Sequence, residues 1–204
     1  SSTMLAGSSS SRLEPQPCRE KRNQPLRANQ TERKMGLSIC YHLTARGRLE
    51  EVSQHMSDWQ AQLRKQLPNC KISELAVTDK GVSFDLRPGP GTEIARMRLG
   101  HDGSDVWAGS WDCKTQYAGC AQYGGPANFL EAHRCLITAL DIGHSLGLVE
   151  SVSDDGCYWS SRSMEKLLQR FHAHQNLVAS LVAQVKDAGF SVTSPVQDES
   201  VRLE

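Results

Sequence analysis

Leu37, Ile39, Tyr41 and Leu43 alternate with Ser38, Cys40 and His42, the period of two expected of a strand with one buried face. The pattern then changes. Leu49, Val52, Met56, Trp59, Leu63 and Leu67 recur at steps of three and four, predicting an amphipathic helix with Glu50 and Glu51 in its first turn and Pro68 at its end. Residues 72–111 read as an antiparallel meander. A strand over Ile72–Thr78 turns at Asp79-Lys80-Gly81 into one in which Val82, Phe84 and Leu86 alternate with polar residues. Pro88-Gly89-Pro90-Gly91 interrupts the chain. Ala95, Met97 and Leu99 then alternate with Arg96 and Arg98, and His101-Asp102-Gly103 turns into a strand carrying Val106, Trp107 and Trp111.

The last third is helical. Phe129, His133, Leu136, Leu140 and His144 share a stripe that ends at Gly147, Asp154-Asp155-Gly156 reads as a turn, and Ser163 caps a long final helix ending near Gly189. Strand, helix, meander, helix, helix predicts an α+β fold: an antiparallel sheet of about five strands with three main helices packed on one face. The final helix carries more apolar positions than one sheet face requires. If part of that stripe stays exposed, homodimerisation through the C-terminal helix is the natural expectation.

Charge sharpens the domain boundaries. The 204 residues hold 23 Lys+Arg and 23 Asp+Glu, but residues 1–34 are net basic and residues 35–204 net acidic. The first segment is poor in apolar residues and contains Ser8 to Ser11 and three prolines, so it reads as a disordered basic tail. Met35-Gly36, immediately before the first patterned strand, marks an alternative start. The domain expected is 35–190, with 191–204 frayed. Without a basic excess the folded part is a poor nucleic-acid binder, and no stretch of about 18 apolar residues predicts a membrane span. The tail has no apolar run of signal-peptide type, and seven cysteines at irregular spacings suit reduced, free thiols better than a disulfide framework. Together these point to a cytoplasmic protein.

The densest chemistry lies between Trp107 and Cys135. Trp111-Asp112-Cys113-Lys114-Thr115-Gln116-Tyr117-Ala118, followed by Gly124-Gly125 and by Asn128-Phe129-Leu130 with His133, resembles a motif of a family of uncharacterised bacterial proteins. Gly36-Leu37-Ser38 and Asp154-Asp155-Gly156 with Trp159 fit the same pattern. The resemblance covers roughly residues 35–188 and implies a bacterial source and a shared fold. It implies no activity and no site residues.

Two functional classes follow from the residues themselves. The favoured one is a ligand- or protein-binding module that uses Trp107, Trp111, Lys114, Tyr117, Tyr123 and Trp159, since large amphipathic rings at loops and strand ends suit contact with a partner. The other is a thiol-dependent hydrolase or transferase, with Cys113 as nucleophile, His133 as base and Gln116 as oxyanion donor. It requires Cys113 and His133 to be adjacent in space; otherwise Cys113 is a small buried residue and His133 a hydrogen-bonded core histidine. Cys113, Cys120, His133 and Cys135 lack the close cysteine pairs of a structural zinc site, so neither metal nor cofactor is expected. No Walker-type loop or dinucleotide fingerprint is present.

Overall fold

The first strand, β1 (Ser38–Arg46), lies inside the sheet with neighbours on both sides. The structure is a computed structural model that describes residues 36–189 apart from 102 and 104. The chain divides into two units, Ser1–Lys34 and Met35–Glu204, and all described residues belong to the second. The tail expected over 1–34 and the frayed end expected over 191–204 lie outside the described residues.

After β1 come α1 (Leu49–Gln66), β2 (Lys71–Ile72), β3 (Ala76–Thr78), β4 (Gly81–Arg87), β5 (Ala95–His101) and β6 (Val106–Lys114). Two 3₁₀ turns, Gln116–Gly119 and Ala121–Tyr123, lead into α2 (Gly125–Ser145), β7 (Val149–Asp154), the short α3 (Tyr158–Ser161) and α4 (Met164–Asp187). The sheet is seven-stranded and antiparallel in the order β2-β4-β5-β6-β1-β7, with β3 also on β4. The α+β class and the three main helices are as the pattern predicts; the strand count is higher than five. One added strand is β7, an edge strand bulged against His42/Leu43. Another arises because the 72–78 segment is two short pieces, β2 and β3, lying end to end along β4.

Alternation decides which face is covered. Ile39, Tyr41 and Leu43, with Phe84, Leu86, Met97 and Leu99, meet Val52, Met56, Trp59 and Leu63 of α1 and Leu136, Ile137 and Leu140 of α2 in one core. α4 packs elsewhere. Its Leu167 and Phe171 join Leu37, Ala118, Phe129 and Ala132 in a second, smaller cluster beside α2.

The ladder between β5 and β6 pairs only Gly100 with Ala108 and His101 with Trp107. Beyond that point side chains take over from backbone. The Tyr41 hydroxyl donates to the Arg96 carbonyl (3.0 Å) and the Trp111 indole N–H to the Arg98 carbonyl (2.9 Å), satisfying acceptors that the ladder leaves open. Gly109 permits this approach, because a Cβ there would run into the Arg98 carbonyl.

The expectation of free thiols throughout needs a correction. Cys70 and Cys135, 65 residues apart, are joined as a disulfide, while Cys40, Cys113, Cys120 and Cys157 are free. Packing explains the pairing: the turn after α1 lies over the same sheet face as α2, so residues far apart in the chain become neighbours.

Candidate functional site

At the end of β6 the Thr115 N–H donates to the Leu37 carbonyl (3.2 Å). The two 3₁₀ turns then reverse the chain, with Gly124 in the left-handed region at φ 107°, and α2 begins with Pro126 in its first turn. This reversal brings His133 back onto Thr115. The Thr115 hydroxyl lies 2.9 Å from His133 Nδ1, and His133 Nε2 lies 3.1 Å from an Asp154 carboxylate oxygen at the end of β7. The second contact does not meet hydrogen-bond geometry. Asp154 also accepts the Gly156 N–H (2.7 Å) and the Trp159 N–H (2.8 Å).

Burial opposes ionisation of Asp154, but His133 and the two backbone N–H groups outweigh it and hold the carboxyl below its ordinary range. Gly156 makes room for the arrangement: a Cβ would lie 2.5 Å from Leu167 Cδ1 and 3.0 Å from His133 Cε1. Next in the chain, Asp155 accepts the Ser38 N–H (3.1 Å) and hydroxyl (2.8 Å), tying β1 to the same turn. Two non-glycine residues in the left-handed region, Cys157 (φ 57°) and Arg162 (φ 53°), bracket α3. Arg162 is held by two 2.7 Å bonds to Asp141 and sits 4.8 Å above the Trp159 ring.

A chain of carboxylate, imidazole and hydroxyl has the composition of a hydrolase triad, yet Thr115 and His133 are 0% exposed. A reacting hydroxyl must reach substrate. This constellation instead fastens the segment after β6, α2, β7 and α3 to one another.

The expected Cys113–His133 pair is not assembled. The Cys113 thiol is fully buried on the core face of β6 and donates to the Glu93 carbonyl at 3.4 Å, while both His133 nitrogens face other groups. Burial, with Glu93 and Asp112 adding to it, pushes the thiol far above its ordinary range, away from the thiolate that a nucleophile needs. Gln116 is also buried; its amide packs against Gly36 and its Oε1 has no hydrogen-bond partner. Native-state iodoacetamide labelling at neutral pH, read by peptide mass spectrometry, is expected to modify Cys113 about tenfold or more slower than Cys40, Cys120 and Cys157. Labelling of Cys113 as fast as these would contradict the buried, neutral thiol. Nor do the cysteines gather a metal: among the described residues no group of three or more His, Cys, Asp or Glu is placed to hold one.

The aromatic candidates divide between the two ends of β1. Trp107 pairs with Ala45, whereas Trp159 follows Asp154, which pairs with Ile39. About 20 Å of strand separates those ends. Trp111 is committed to the β5–β6 bridge, and Lys114 pairs with Glu93 at 3.8 Å. Tyr123 packs on Gly91, and Tyr117 is half-buried in the first 3₁₀ turn. The six residues therefore form no single platform.

Among the described residues, two surface recesses bear on the candidates. One, of about 260 Å³, lies on the sheet face that the helices leave uncovered, between His42, Thr44, Ser110 and the bulged Glu150. The other, of about 470 Å³, lies at the Trp107 end, where the β1–α1 turn, the β3–β4 turn and the β5–β6 hairpin converge. His101 stacks on Trp107 there, with ring centroids 4.4 Å apart, and the Trp107 indole N–H donates to the Gly47 carbonyl at 2.9 Å. Leu49 adds apolar surface, and Arg48, Glu51, Asp79 and Asp105 form the polar rim.

Sequence reasoning selected Trp107 and His133 but missed their partners, His101, Thr115 and Asp154. The turn at Asp154-Asp155-Gly156 is real, since Asp154 accepts the Gly156 N–H; its side-chain partner, His133, comes from a helix about twenty residues upstream and leaves no local signal. Among the described residues, no helix is long and apolar enough to cross a membrane. The chain matches no protein-family model, no curated protein and no solved structure.

Proposed function

We propose that the chain is a ligand-binding module whose ligand occupies the recess around Trp107. The observation that carries this reading is the recess itself: about 470 Å³, with a stacked Trp107–His101 wall and a ring of polar side chains. That volume suits a small organic molecule or the end of a peptide. Among the described residues, the rim sets carboxylates of Glu51, Asp79 and Asp105 against the guanidinium of Arg48, which already lies 3.9 Å from Glu51. An excess of negative charge beside aromatic surface favours a ligand with a flat apolar body and a cationic group. No observation favours a catalytic reading, because the Cys113 thiol is buried and both His133 nitrogens face other groups.

Titration of isotope-labelled protein with tryptamine, and with indole and indole-3-acetate as charge controls, tests the reading by NMR. Tryptamine is expected to shift the Trp107 indole and His101 resonances most. Asp79→Asn with Asp105→Asn should weaken it by about tenfold, the loss of one well-placed charge interaction. Equal response to all three compounds, or shifts confined to the uncovered sheet face, would overturn the proposal.

A further inference from the structure

Helix α4 begins inside the domain and ends outside its core. Of its residues from Met164 to Asp187, only Leu167 and Phe171 are buried. From Phe171 to Asp187 the helix runs on for about 24 Å. Its apolar face does not stop with the core: Met164, Phe171, Val178 and Val185 follow one another at seven-residue steps, and Leu181 and Val182 fill the positions between the last two. Val178 is 38% exposed, Val185 40% and the adjacent Leu177 56%.

Two properties make this half of the helix unlike an ordinary solvent-facing one. From His172 to Gln184 it contains no Asp, Glu, Lys or Arg, so its outer face lacks the charge usual on exposed helices. It also includes Val178, Val182 and Val185, whose branched side chains disfavour helix, and no ion pairs at i,i+4 among those uncharged residues to offset them. A helix of this length and composition is marginal in water unless its apolar face is covered.

We infer that the cover is a second copy of this chain, packed face to face through Val178, Leu181, Val182 and Val185 about a two-fold axis. The neutral stripe is the argument for self-association. Two identical uncharged faces meet without like-charge repulsion, whereas a charged partner surface would bury its charges against nothing that pairs with them. Ala179 and Ala183, beside the stripe, let the two helices approach closely. A contact confined to about 24 Å of helix stays below the roughly 1,200 Å² of a standard interface, so the dimer is weak and concentration-dependent. This inference does not rest on the recess around Trp107.

Sedimentation velocity of the full chain across a concentration series from about 1 μM to 500 μM decides it. The expected result is a shift from 22.5 kDa toward twice that mass, abolished in Val178→Glu and separately in Val185→Lys. Mixing those two variants should restore association in the antiparallel arrangement, where the two positions approach one another, or leave both monomeric in the parallel one. The Val185→Lys site lies farthest from the core, so it keeps the test valid if Val178→Glu fails to fold. A native chain that stays monomeric at every concentration would overturn the inference. So would dimerisation undiminished in both variants, or a monomer that Val178→Glu destabilises as a core substitution would, which would show that the chain covers its own stripe.

Discussion

Replacement of His133 by alanine is expected to lower the unfolding free energy by about 3–5 kcal/mol, the combined cost of leaving a buried carboxylate and a buried hydroxyl without the ring that partners both. For a domain of this size that corresponds to a fall in melting temperature of roughly 10 °C. The expectation rests on the position of Asp154, whose side chain is 1% exposed and 3.1 Å from His133. With His133 gone, the carboxylate keeps its two backbone donors but loses its contact with the ring. Thr115 loses the ring nitrogen at 2.9 Å as well.

The pH dependence provides an independent reading of the same contact. In the native chain the folded-state pKa of Asp154 is depressed, so the group contributes stability that is present above its unfolded pKa of about 3.9 and lost as pH falls through the folded value. In His133→Ala burial is left less opposed, and the carboxyl rises. The gap between its folded and unfolded values then narrows, so the variant should lose less stability than the native chain as pH falls below about 5, and the difference between the two should shrink in acid. Urea denaturation at pH 7 and at steps down to about pH 2.5 measures both effects. A cost under about 1 kcal/mol at pH 7, with an unchanged acid limb, would show that the pair is not energetically coupled.

Trp59→Ala should cost about as much, roughly 3–5 kcal/mol, by a different mechanism. Trp59 is fully buried between α1 and the sheet, meets Phe84 edge-on at 5.5 Å, and donates its indole N–H to the Ala139 carbonyl at 3.0 Å. The opposing surface is shaped to it. Gly143 lies where a Cβ would strike the indole, so α2 carries a notch that Trp59 fills. The cost is therefore expected at the cavity end of the large-to-small range, with no pH dependence between 5 and 8, which separates it from the His133 effect. Circular dichroism is the suitable probe, because the substitution removes a fluorophore. A loss of less than about 1 kcal/mol would mean that α1 and α2 close over the space.

The strands and helices that were legible from the pattern share one property. Their apolar residues recur with a period of two or near 3.6 over at least five residues, as in Ile39 to Leu43, Val52 to Leu63 and Phe129 to Leu140. β7 was not legible, because Val149 and Val152 alone mark it and the bulge sets them three residues apart, out of the period of two. The candidate site divides in the same way. Trp107 and His133 stood out by residue type, but the division of the aromatics between opposite ends of β1 depends on strand register. Cys113 looked reactive beside Lys114; register instead places its thiol on the core face, opposite Ile39.

By itself the sequence determined the α+β class, the helix over residues 49–66, the cap at Ser163 and the surplus apolar stripe on the last helix. Each depends on neighbours within a few positions, where periodicity and capping act. Only the tertiary structure decided that β1 sits between β6 and β7, that Cys70 meets Cys135, and that Thr115, His133 and Asp154 form one buried chain. Those contacts join residues 18 to more than 60 positions apart. They follow from how whole elements pack over the sheet, a choice made by summed burial that no local pattern records.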